Sequence, residues 1–280
     1  MRNNLKKYYP VFVLPTFAAF FIAFIFPFLA GIVLSFTEFT TVTNAKWTGI
    51  TNYLRAFSNE DFLNALWFTV KFAFVSVITI NVIAFTLALL LTRSIRGTNL
   101  FRTVFFMPNL IGGIVLGYIW LLIINGVLQL FGVTITYDAS YGFWGLVILT
   151  NWQLIGYMMI IYIAGIQNIP GDLIDAAKVD GAGYFGILRH VIIPMVMPSI
   201  TICLFLSITN SFKLFDANLA LTDGAPGRQT TMLALDIYKT FYARSGWQGV
   251  GQAKAVVFFI LLAVISLIQL VITRRREVEA

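Results

Sequence analysis

Uncharged runs in the sequence place the strongest constraint on what this chain can fold into. No charged residue occurs from Tyr8 to Thr37 or from Thr103 to Tyr137, and a helix needs roughly 20 apolar residues to cross a bilayer. Only 11% of the 280 residues are charged, against roughly 25% in an ordinary soluble domain. The hydrophobic fraction is 59% and the mean hydropathy is +0.86. A soluble enzyme of this size needs more polar side chains to cover its surface, so the sequence predicts an integral membrane protein.

The apolar runs predict an all-α protein with six membrane-spanning helices in a single domain over residues 1–280. Lys6 and Lys7 precede the first run as in a signal peptide, but its apolar core is longer than the roughly 7–15 residues of such a segment. No small-residue cleavage site follows, so we expect an uncleaved span. Asn125 and Gly126 interrupt the third run and predict a short outer loop up to Gly142. The predicted spans are 11–36, 66–91, 104–124, 143–163, 194–212 and 255–273.

The basic residues indicate the orientation of these spans, because short cytoplasmic loops collect Lys and Arg. Their placement at span ends also explains the net charge of +7, so we expect no nucleic-acid partner. The short loop 125–142 has no basic residue, and we therefore expect both termini on the cytoplasmic side. The basic residues on the predicted cytoplasmic face are Arg2, Lys6, Lys7, Arg93, Arg96, Arg102, Lys178, Arg189, Arg274, Arg275 and Arg276.

Residues that carry chemistry are scarce. Lys71 is the only ionisable residue inside a predicted span, near an end where its stem can reach the headgroups. His190 is the single histidine and Cys203 the single cysteine, which argues against a histidine-based site and against an internal disulfide. The sequence has no phosphate loop, and the G-x-G-x-x-G match at 181–186 lacks the strand-turn-helix context of a dinucleotide site. We expect a non-catalytic chain without a cofactor or metal of its own.

The connection 167–193, between the fourth and fifth predicted spans, reads as two short helices joined by a tight turn. Pro170 ends the preceding span, and Asp172 suits the first turn of a new helix. Gly181 suits a left-handed stop, and the chain restarts at about Tyr184. Pro194 then opens the fifth span. Leu173, Ala176, Ala177 and Asp180 share a face. That face either docks in a groove on a partner or lies on the chain's own helices.

These residues resemble a known motif. Residues 175–182 read Asp-Ala-Ala-Lys-Val-Asp-Gly-Ala and are followed by Ile193-Pro194 and Pro198. This pattern resembles the cytoplasmic loop of membrane permeases in binding-protein-dependent ABC importers, with Asp175 where that family usually has Glu. Other stretches are similar to its sugar-transporting branch: Leu14-Pro15, Phe26-Pro27, Asn52-Tyr53, Asn64-Ala65-Leu66, Phe101-Arg102-Thr103, Met107-Pro108, Leu221–Pro226 and Arg274–Glu277.

The resemblance implies a type I importer permease in a bacterial or archaeal inner membrane. The partners it implies are a second homologous permease subunit, two ATPase subunits that hold ATP and Mg, and an extracellular solute-binding protein. The loop 172–186 would be the coupling helix in a cleft of the ATPase, with Gly181 at its bend and Asp175 in an ion pair. The residues that the resemblance assigns to this coupling are Asp172, Asp175, Ala176, Ala177, Asp180, Gly181, Ala182 and Pro194.

Four polar residues are the main candidates for the solute path, and Asn151, Trp152 and Asp216 are weaker ones. Gln153 and Tyr157 lie four residues apart and hence on one helix face, and Asn210 and Lys213 end the fifth span. The resemblance matches Tyr157 and Asn210 to positions that contact a sugar. The alternative for Gln153, Tyr157 and Asn210 is an ordinary hydrogen bond between helices. Lys213 has two interpretations. Its charge could favour a solute that carries phosphate or an acidic sugar, or its side chain could extend to the lipid headgroups.

The importer interpretation leaves two rival functions. A secondary carrier for a small polar solute would need charges within the membrane or an internal repeat, and the sequence shows neither. A membrane scaffold would use the loop for docking but would move no solute. Within the importer family, the solute is a mono- or oligosaccharide, glycerol phosphate or another non-sugar compound.

Overall fold

The computed structural model describes residues 13–93 and 96–277, and helices dominate both ranges. The one sheet in the described residues pairs β1 (Thr37–Glu38) with β2 (Lys46–Trp47) in antiparallel register. The all-α fold class is confirmed. The helices are α1 Val13–Leu34, α2 Thr51–Phe57, α3 Glu60–Leu91, α4 Thr98–Phe106, α5 Gly113–Leu128, α6 Ala139–Gln167, α7 Gly171–Val179, α8 Tyr184–Met195, α9 Met197–Phe212, α10 Asp216–Leu221, α11 Leu233–Ala243 and α12 Gln248–Arg274.

Within the residues that the structure describes, five helices are long and apolar enough to cross a membrane, and a bent helix pair brings the number to as many as six. The five are α1, α3, the stretch Gly113–Phe131, α6 and α12, and the bent pair is α8 with α9. The first predicted span, 11–36, corresponds to α1, although Val11 and Phe12 lie outside the described residues, as do Arg2, Lys6 and Lys7. The expectation of one domain over residues 1–280 stays a prediction.

The third predicted span, 104–124, has the wrong bounds. Helix α4 ends at Phe106, and a short 3₁₀ turn with Pro108 follows before the chain becomes extended at Ile111 and Gly112. The spanning stretch begins only at Gly113 and continues past Asn125 to Phe131. Asn125 does not end the helix. Its Oδ1 instead accepts a hydrogen bond of 2.8 Å from the N–H of Ile135, which holds the loop that follows against the helix.

The fifth predicted span, 194–212, also begins at the wrong residue. Pro194 lies inside α8, which contains a π-helical turn at Leu188–Ile192 directly before it. The chain bends by 70° between α8 and α9, at Val196, and Pro198 is the proline at the start of the straight part. The missing N–H of a proline disrupts the regular helix bonds before it, which explains why the helix is irregular here.

The second, fourth and sixth predicted spans are longer in the structure, as α3, α6 and α12. Because α12 begins at Gln248, Lys254 lies within a candidate span, so Lys71 is not the only such charge. The Lys254 side chain is fully buried and donates from Nζ to Asn59 Oδ1 at 3.1 Å and to Thr240 Oγ1 at 2.9 Å.

The chain divides into two compact units. The first comprises the described residues up to Phe62 together with Ile237–Phe259. Its hairpin is fastened by Asn52, whose Nδ2 donates to Ser35 O at 2.9 Å and to Thr37 O at 2.8 Å. An ion pair of 2.7 Å joins Arg244 to Asp61.

The second unit comprises Leu63–Asp236 and the described residues from Ile260 onward. Its core has two apolar clusters, one around Met158 and Tyr162 and one around Phe72 and Leu146. A buried polar chain crosses the first cluster: Tyr162 Oη donates to Asn81 Oδ1 at 2.7 Å, and Asn81 Nδ2 donates to Ser207 Oγ at 2.8 Å. These bonds join α6, α3 and α9, and every candidate site residue lies in this unit.

Candidate functional site

Helix α7 opens the segment that connects α6 to α9, and apolar anchors hold it in place. The helix starts after Pro170, and Asp172 lies in its first turn, where a carboxylate favours the positive end of the helix dipole. Ile169 is buried in the cluster around Tyr162, and Ile174 packs against the same cluster. The segment 172–186 is therefore fixed to the unit from one side.

Gly181 ends α7 in the way that the sequence predicts. Its φ of +79° lies in the left-handed region, which a residue with a side chain adopts only at a cost. The N–H of Ala182 donates to Ala177 O at 2.9 Å, and the N–H of Gly181 donates to Lys178 O at 3.0 Å. These two bonds form a Schellman motif, so the tight turn after Asp180 is a specific, hydrogen-bonded structure.

The opposite side of the segment is exposed and carries both charged and apolar groups. Asp175 Oδ1 accepts from Lys178 Nζ at 2.8 Å, and both side chains are largely exposed. Ala176 is exposed as well. Two apolar side chains are even more accessible, since Val179 is 88% exposed and Phe185 is 80% exposed.

The second short helix of the connection begins at Tyr184, as predicted. The guanidinium of Arg93 lies 5.3 Å from the centre of the Tyr184 ring, a cation–π distance. Nδ1 of His190 lies 3.0 Å from Gly186 O within the same helix. The ring of the single histidine is thus held against the backbone of its own helix, where the contact stabilises the helix.

An open pocket of about 250 Å³ brings together three of the four predicted path residues. Gln153 comes from α6, Asn210 from α9, and Lys213 from the residue that follows α9. We call this space the polar pocket. Its lining residues are Gly113, Gln153, Asn210, Lys213, Leu214, Phe215, Asp216 and Ala217.

Two of these side chains are oriented by bonds to backbone carbonyls. Gln153 Nε2 donates to Ile111 O at 3.3 Å, which ties α6 to the break between α4 and α5. Asn210 Nδ2 donates to Leu206 O at 2.8 Å within its own helix. The alternative for each residue was a hydrogen bond to a separate element. Gln153 makes such a bond, whereas the hydrogen bond that Asn210 donates to Leu206 stays within α9.

Tyr157 lies elsewhere. Its side chain is half-buried and packs against the cluster around Tyr162, and it does not line the polar pocket. The i, i+4 spacing with Gln153 holds along α6, but the two side chains have different neighbours.

Close backbone approaches position these elements, and the sequence reasoning missed the one at Gly156 but not the G-x-x-x-G at 113–117. A Cβ on Gly156 would overlap the carbonyl oxygen of Phe105, so the backbones of α6 and α4 meet there. A Cβ on Gly113 would lie 2.8 Å from Asp216 Cβ, and one on Gly117 would lie 2.6 Å from Ala220 Cβ. The G-x-x-x-G at 113–117 therefore packs α5 closely on α10, as such motifs do.

The start of α6 is fixed by a side-chain cap. Asp138 Oδ1 accepts from the N–H of Ser140 at 2.7 Å, and hydrogen bonds from the side chain and the backbone of Ser140 lower the pKa of the Asp138 carboxyl. Elsewhere in residues 13–93 and 96–277, no group of three or more His, Cys, Asp or Glu side chains is placed to hold a metal ion.

Comparison with known proteins gives a consistent result. The model of the family described as "Binding-protein-dependent transport system inner membrane component" matches residues 95–278. The probable starch degradation products transport system permease protein AmyD of Thermoanaerobacterium thermosulfurigenes is 45% identical over 97% of this chain and 96% of its own length. The multiple sugar-binding transport system permease protein MsmF of Streptococcus mutans is 27% identical over 99% of both chains.

Solved structures show the same fold. A chain of a bacterial ABC transporter involved in the import of the acidic polysaccharide alginate superposes with a TM-score of 0.82, at 20% identity and over 98% of both chains. A chain of the MetNI methionine ABC transporter gives a TM-score of 0.57, at 21% identity, over 78% of this chain and 96% of that one. The type I permease fold expected from the sequence is thereby confirmed.

Proposed function

Because the chain belongs to the family of inner membrane components of binding-protein-dependent transport systems, we propose that it forms half of the path by which a carbohydrate enters the cell. A separate ATPase subunit supplies the energy, and the segment 172–186 transmits it. The family membership decides against a carrier or a scaffold that works outside such a system.

One structural observation carries the coupling mechanism. Helices α6 and α9 contribute Gln153 and Asn210 to the polar pocket, and the connection between these same two helices contains the segment 172–186. A force applied to the segment therefore reaches both helices through the backbone. The bend of 70° between α8 and α9 is a place where such a force can change the direction of α9, as in hinge movements.

The exposed side of the segment suits a protein groove. Val179 and Phe185 present apolar surface on the same segment as the exposed carboxylate of Asp175, and exposed apolar groups with a charged rim are typical of interaction sites. Asp172, Asp180 and the small residues Ala176, Ala177 and Ala182 complete the proposed contact with the ATPase. Pro194 continues the segment toward the bend.

Carbohydrate is the solute class that the relatives favour. The name of AmyD refers to the transport of starch degradation products, and the name of MsmF refers to multiple sugars. Amide and charged groups that converge on an open pocket can bind the hydroxyls of a sugar. Gln153, Asn210 and Lys213 line the path in this proposal, and Tyr157 packs behind it.

The proposed assembly contains a second homologous permease subunit, two ATPase subunits with ATP and Mg, and an extracellular solute-binding protein. A solved alginate ABC transporter of the same fold was captured with an oligosaccharide-bound periplasmic protein. In this assembly both termini of the chain lie in the cytoplasm.

The coupling role is tested with a pair of variants that separate the Asp175 carboxylate from its internal ion pair. Asp175→Asn removes the charge that we assign to a basic residue of the ATPase, whereas Lys178→Gln breaks the same ion pair and leaves that carboxylate free. An exposed pair of this kind contributes about 0–1 kcal/mol, so both variants should fold.

We expect purification of the tagged chain in mild detergent to recover an ATPase and a second permease chain. Asp175→Asn should lower the recovered ATPase several-fold, and Lys178→Gln should not.

Uptake into vesicles that contain the recovered complex then tests transport. Sugar should accumulate with ATP and binding protein, and not without ATP. Equal loss of ATPase in both variants would reduce the role of Asp175 to helix stability. Recovery of folded chain with neither partner would overturn the proposed function itself.

A further inference from the structure

The polar pocket holds one cation and one anion that do not pair with each other. Lys213 and Asp216 both line it and both are exposed. Among the residues that the structure describes, neither side chain takes part in an ion pair or a hydrogen bond. The remaining polar groups of the pocket, the amides of Gln153 and Asn210, are neutral. The side chains around the pocket therefore carry no net charge, although two full charges face the same space.

Asp216 is held in the pocket wall by its backbone position. It is the first residue of α10, and α10 packs against α5 so closely that a Cβ on Gly113 would lie 2.8 Å from Asp216 Cβ and 3.4 Å from Oδ2. Ala217, the next residue, is buried. The contact with α5 therefore fixes the backbone and Cβ of Asp216, and the exposed carboxylate lies in the pocket wall.

These two charges favour a solute whose groups both donate and accept hydrogen bonds. A hydroxyl can donate to the Asp216 carboxylate and accept from the Lys213 ammonium. A carboxylate or a phosphate can only accept, so it gains Lys213 but meets Asp216 as a like charge. Like charges that face each other in a binding site cost several kcal/mol in known complexes. An anion is therefore repelled by Asp216, whereas a neutral hydroxyl can form a hydrogen bond with each of the two charges.

We propose that Asp216 is a specificity-determining residue of this pocket, that Gly113 positions it, and that together they restrict the path to neutral sugars and exclude sugar acids and sugar phosphates. This inference rests on the proposed function and narrows its substrate class. The fold shared with an importer of an acidic polysaccharide does not oppose it, because at 20% identity that likeness concerns the backbone. The pocket volume of about 250 Å³ is smaller than the roughly 300–1,000 Å³ of complete ligand sites, so this chain holds only part of an oligosaccharide.

The test compares a neutral probe with an acidic one on the same complex. The full chain, with the subunits that copurify with it, is placed in lipid nanodiscs without binding protein, because the binding protein selects solutes itself. The probes are maltotriose and maltotrionic acid, its oxidised form with a carboxylate at one end. Dissociation constants for both probes are measured by equilibrium dialysis. The ratio of the constant for the acid to that for maltotriose measures how strongly the complex prefers the neutral sugar.

We expect the unaltered complex to bind maltotriose and to bind the acid at least about tenfold more weakly. Asp216→Asn keeps the size of the side chain and removes its charge, so the ratio should fall by about tenfold. Gly113→Ala keeps the charge but forces Asp216 to move, so the ratio should fall there too. Lys213→Gln removes the cation and should leave the discrimination as strong as before or strengthen it.

Asp138→Asn is the matched control. It makes the same change of charge at the exposed cap of α6, outside the polar pocket, and asparagine also caps helices well. The ratio should not change in this variant. An equal fall in Asp138→Asn and Asp216→Asn would show a general charge effect and would overturn the role of Asp216.

The outcomes separate this inference from the proposed function. Unchanged discrimination in Asp216→Asn, in a complex that binds maltotriose and shows ATP-dependent sugar uptake, overturns the inference alone. Tighter binding of the acid by the unaltered complex does the same. A complex that neither binds nor takes up any carbohydrate overturns both.

Discussion

At the scale of single residues, the absence of a side chain decides how closely the elements of the second unit approach. At Gly156 the backbone of α6 meets the carbonyl oxygen of Phe105, so no side chain fits between the two helices. This contact sits between Gln153, which lines the polar pocket, and the core cluster around Tyr162. The position of the pocket wall therefore depends on a glycine.

Gly156→Ala should destabilise the protein. The added methyl group overlaps a backbone atom rather than a flexible side chain, and overpacking of this kind costs about 1–3 kcal/mol or more. Thermal unfolding in detergent should show a clear decrease in Tm. Gly171→Ala is the control, because nothing lies within 4 Å of a Cβ at that position. Equal Tm values for the two variants would show that α4 can move away from α6 at no cost.

Gly181 has a different role, since a Cβ there meets no atom within 4 Å and only the backbone angle requires glycine. Gly181→Ala should cost about 1–2 kcal/mol, and the cost falls on the turn of the segment 172–186. Global Tm should change little, whereas ATPase recovered with the chain should decrease. Gly183→Ala, at a residue with φ of −71°, should leave recovery intact. A normal complex in Gly181→Ala would mean that the turn geometry is not needed for coupling.

At the scale of secondary-structure elements, the bond chain Tyr162–Asn81–Ser207 holds three long helices together. Apolar side chains provide little specificity between helices in lipid, since lipid tails are equally apolar, and buried polar bonds contribute to register and pairing. Tyr162 lies in the same apolar cluster as Met158 and Val196, and Val196 is the residue at the bend before α9.

Tyr162→Phe removes the hydroxyl that donates to Asn81 Oδ1 at 2.7 Å. We expect a loss of about 0.6–2 kcal/mol in the free energy of unfolding, measured by thermal or denaturant unfolding in detergent. Thr86→Val is a suitable comparison, because Thr86 is exposed and its hydroxyl bonds only to the carbonyl of its own helix at 2.7 Å. A larger loss in Thr86→Val than in Tyr162→Phe would contradict the importance of the buried chain.

At the scale of the whole molecule, the orientation in the membrane is open to a direct measurement. The single cysteine, Cys203, is buried, so Cys203→Ser gives a background without cysteine. Val179→Cys then reports on the segment 172–186, and Leu130→Cys, at a residue that is 81% exposed, reports on the end of the third spanning stretch.

Membrane-impermeant maleimide should label the two reporters from opposite sides. The vesicles come from cells that make this chain without the ATPase, because the ATPase would cover residue 179 in the proposed complex. Val179→Cys should then react in inside-out vesicles and Leu130→Cys in right-side-out vesicles, since the proposed topology places the segment 172–186 on the cytoplasmic side. Labelling of both reporters from one side would contradict the predicted loop orientation and, with it, the cytoplasmic position of the termini.

The sequence by itself determined the features that depend on local composition and backbone geometry. Uncharged apolar runs located the spanning helices, because the cost of charges in lipid applies to every residue in a run. The position of Gly181 after a short amphipathic helix predicted its left-handed φ, since the Schellman motif needs only neighbouring residues. The motif 175–182 indicated the family, and the comparisons confirmed it.

Only the tertiary structure decided what long-range contacts control. Hydropathy continues through Pro108 and Gly112, so it could not predict that the third span would start at Gly113. Helix periodicity placed Tyr157 beside Gln153, but neighbours from other helices pack Tyr157 against the core. Asp216, a weaker candidate in the sequence, lines the pocket instead. The close approach at Gly113 and the burial of Lys254 likewise depend on residues far away in the chain. Hydropathy is a property of one segment, whereas a pocket is formed by several, and its members are known only once those segments have packed.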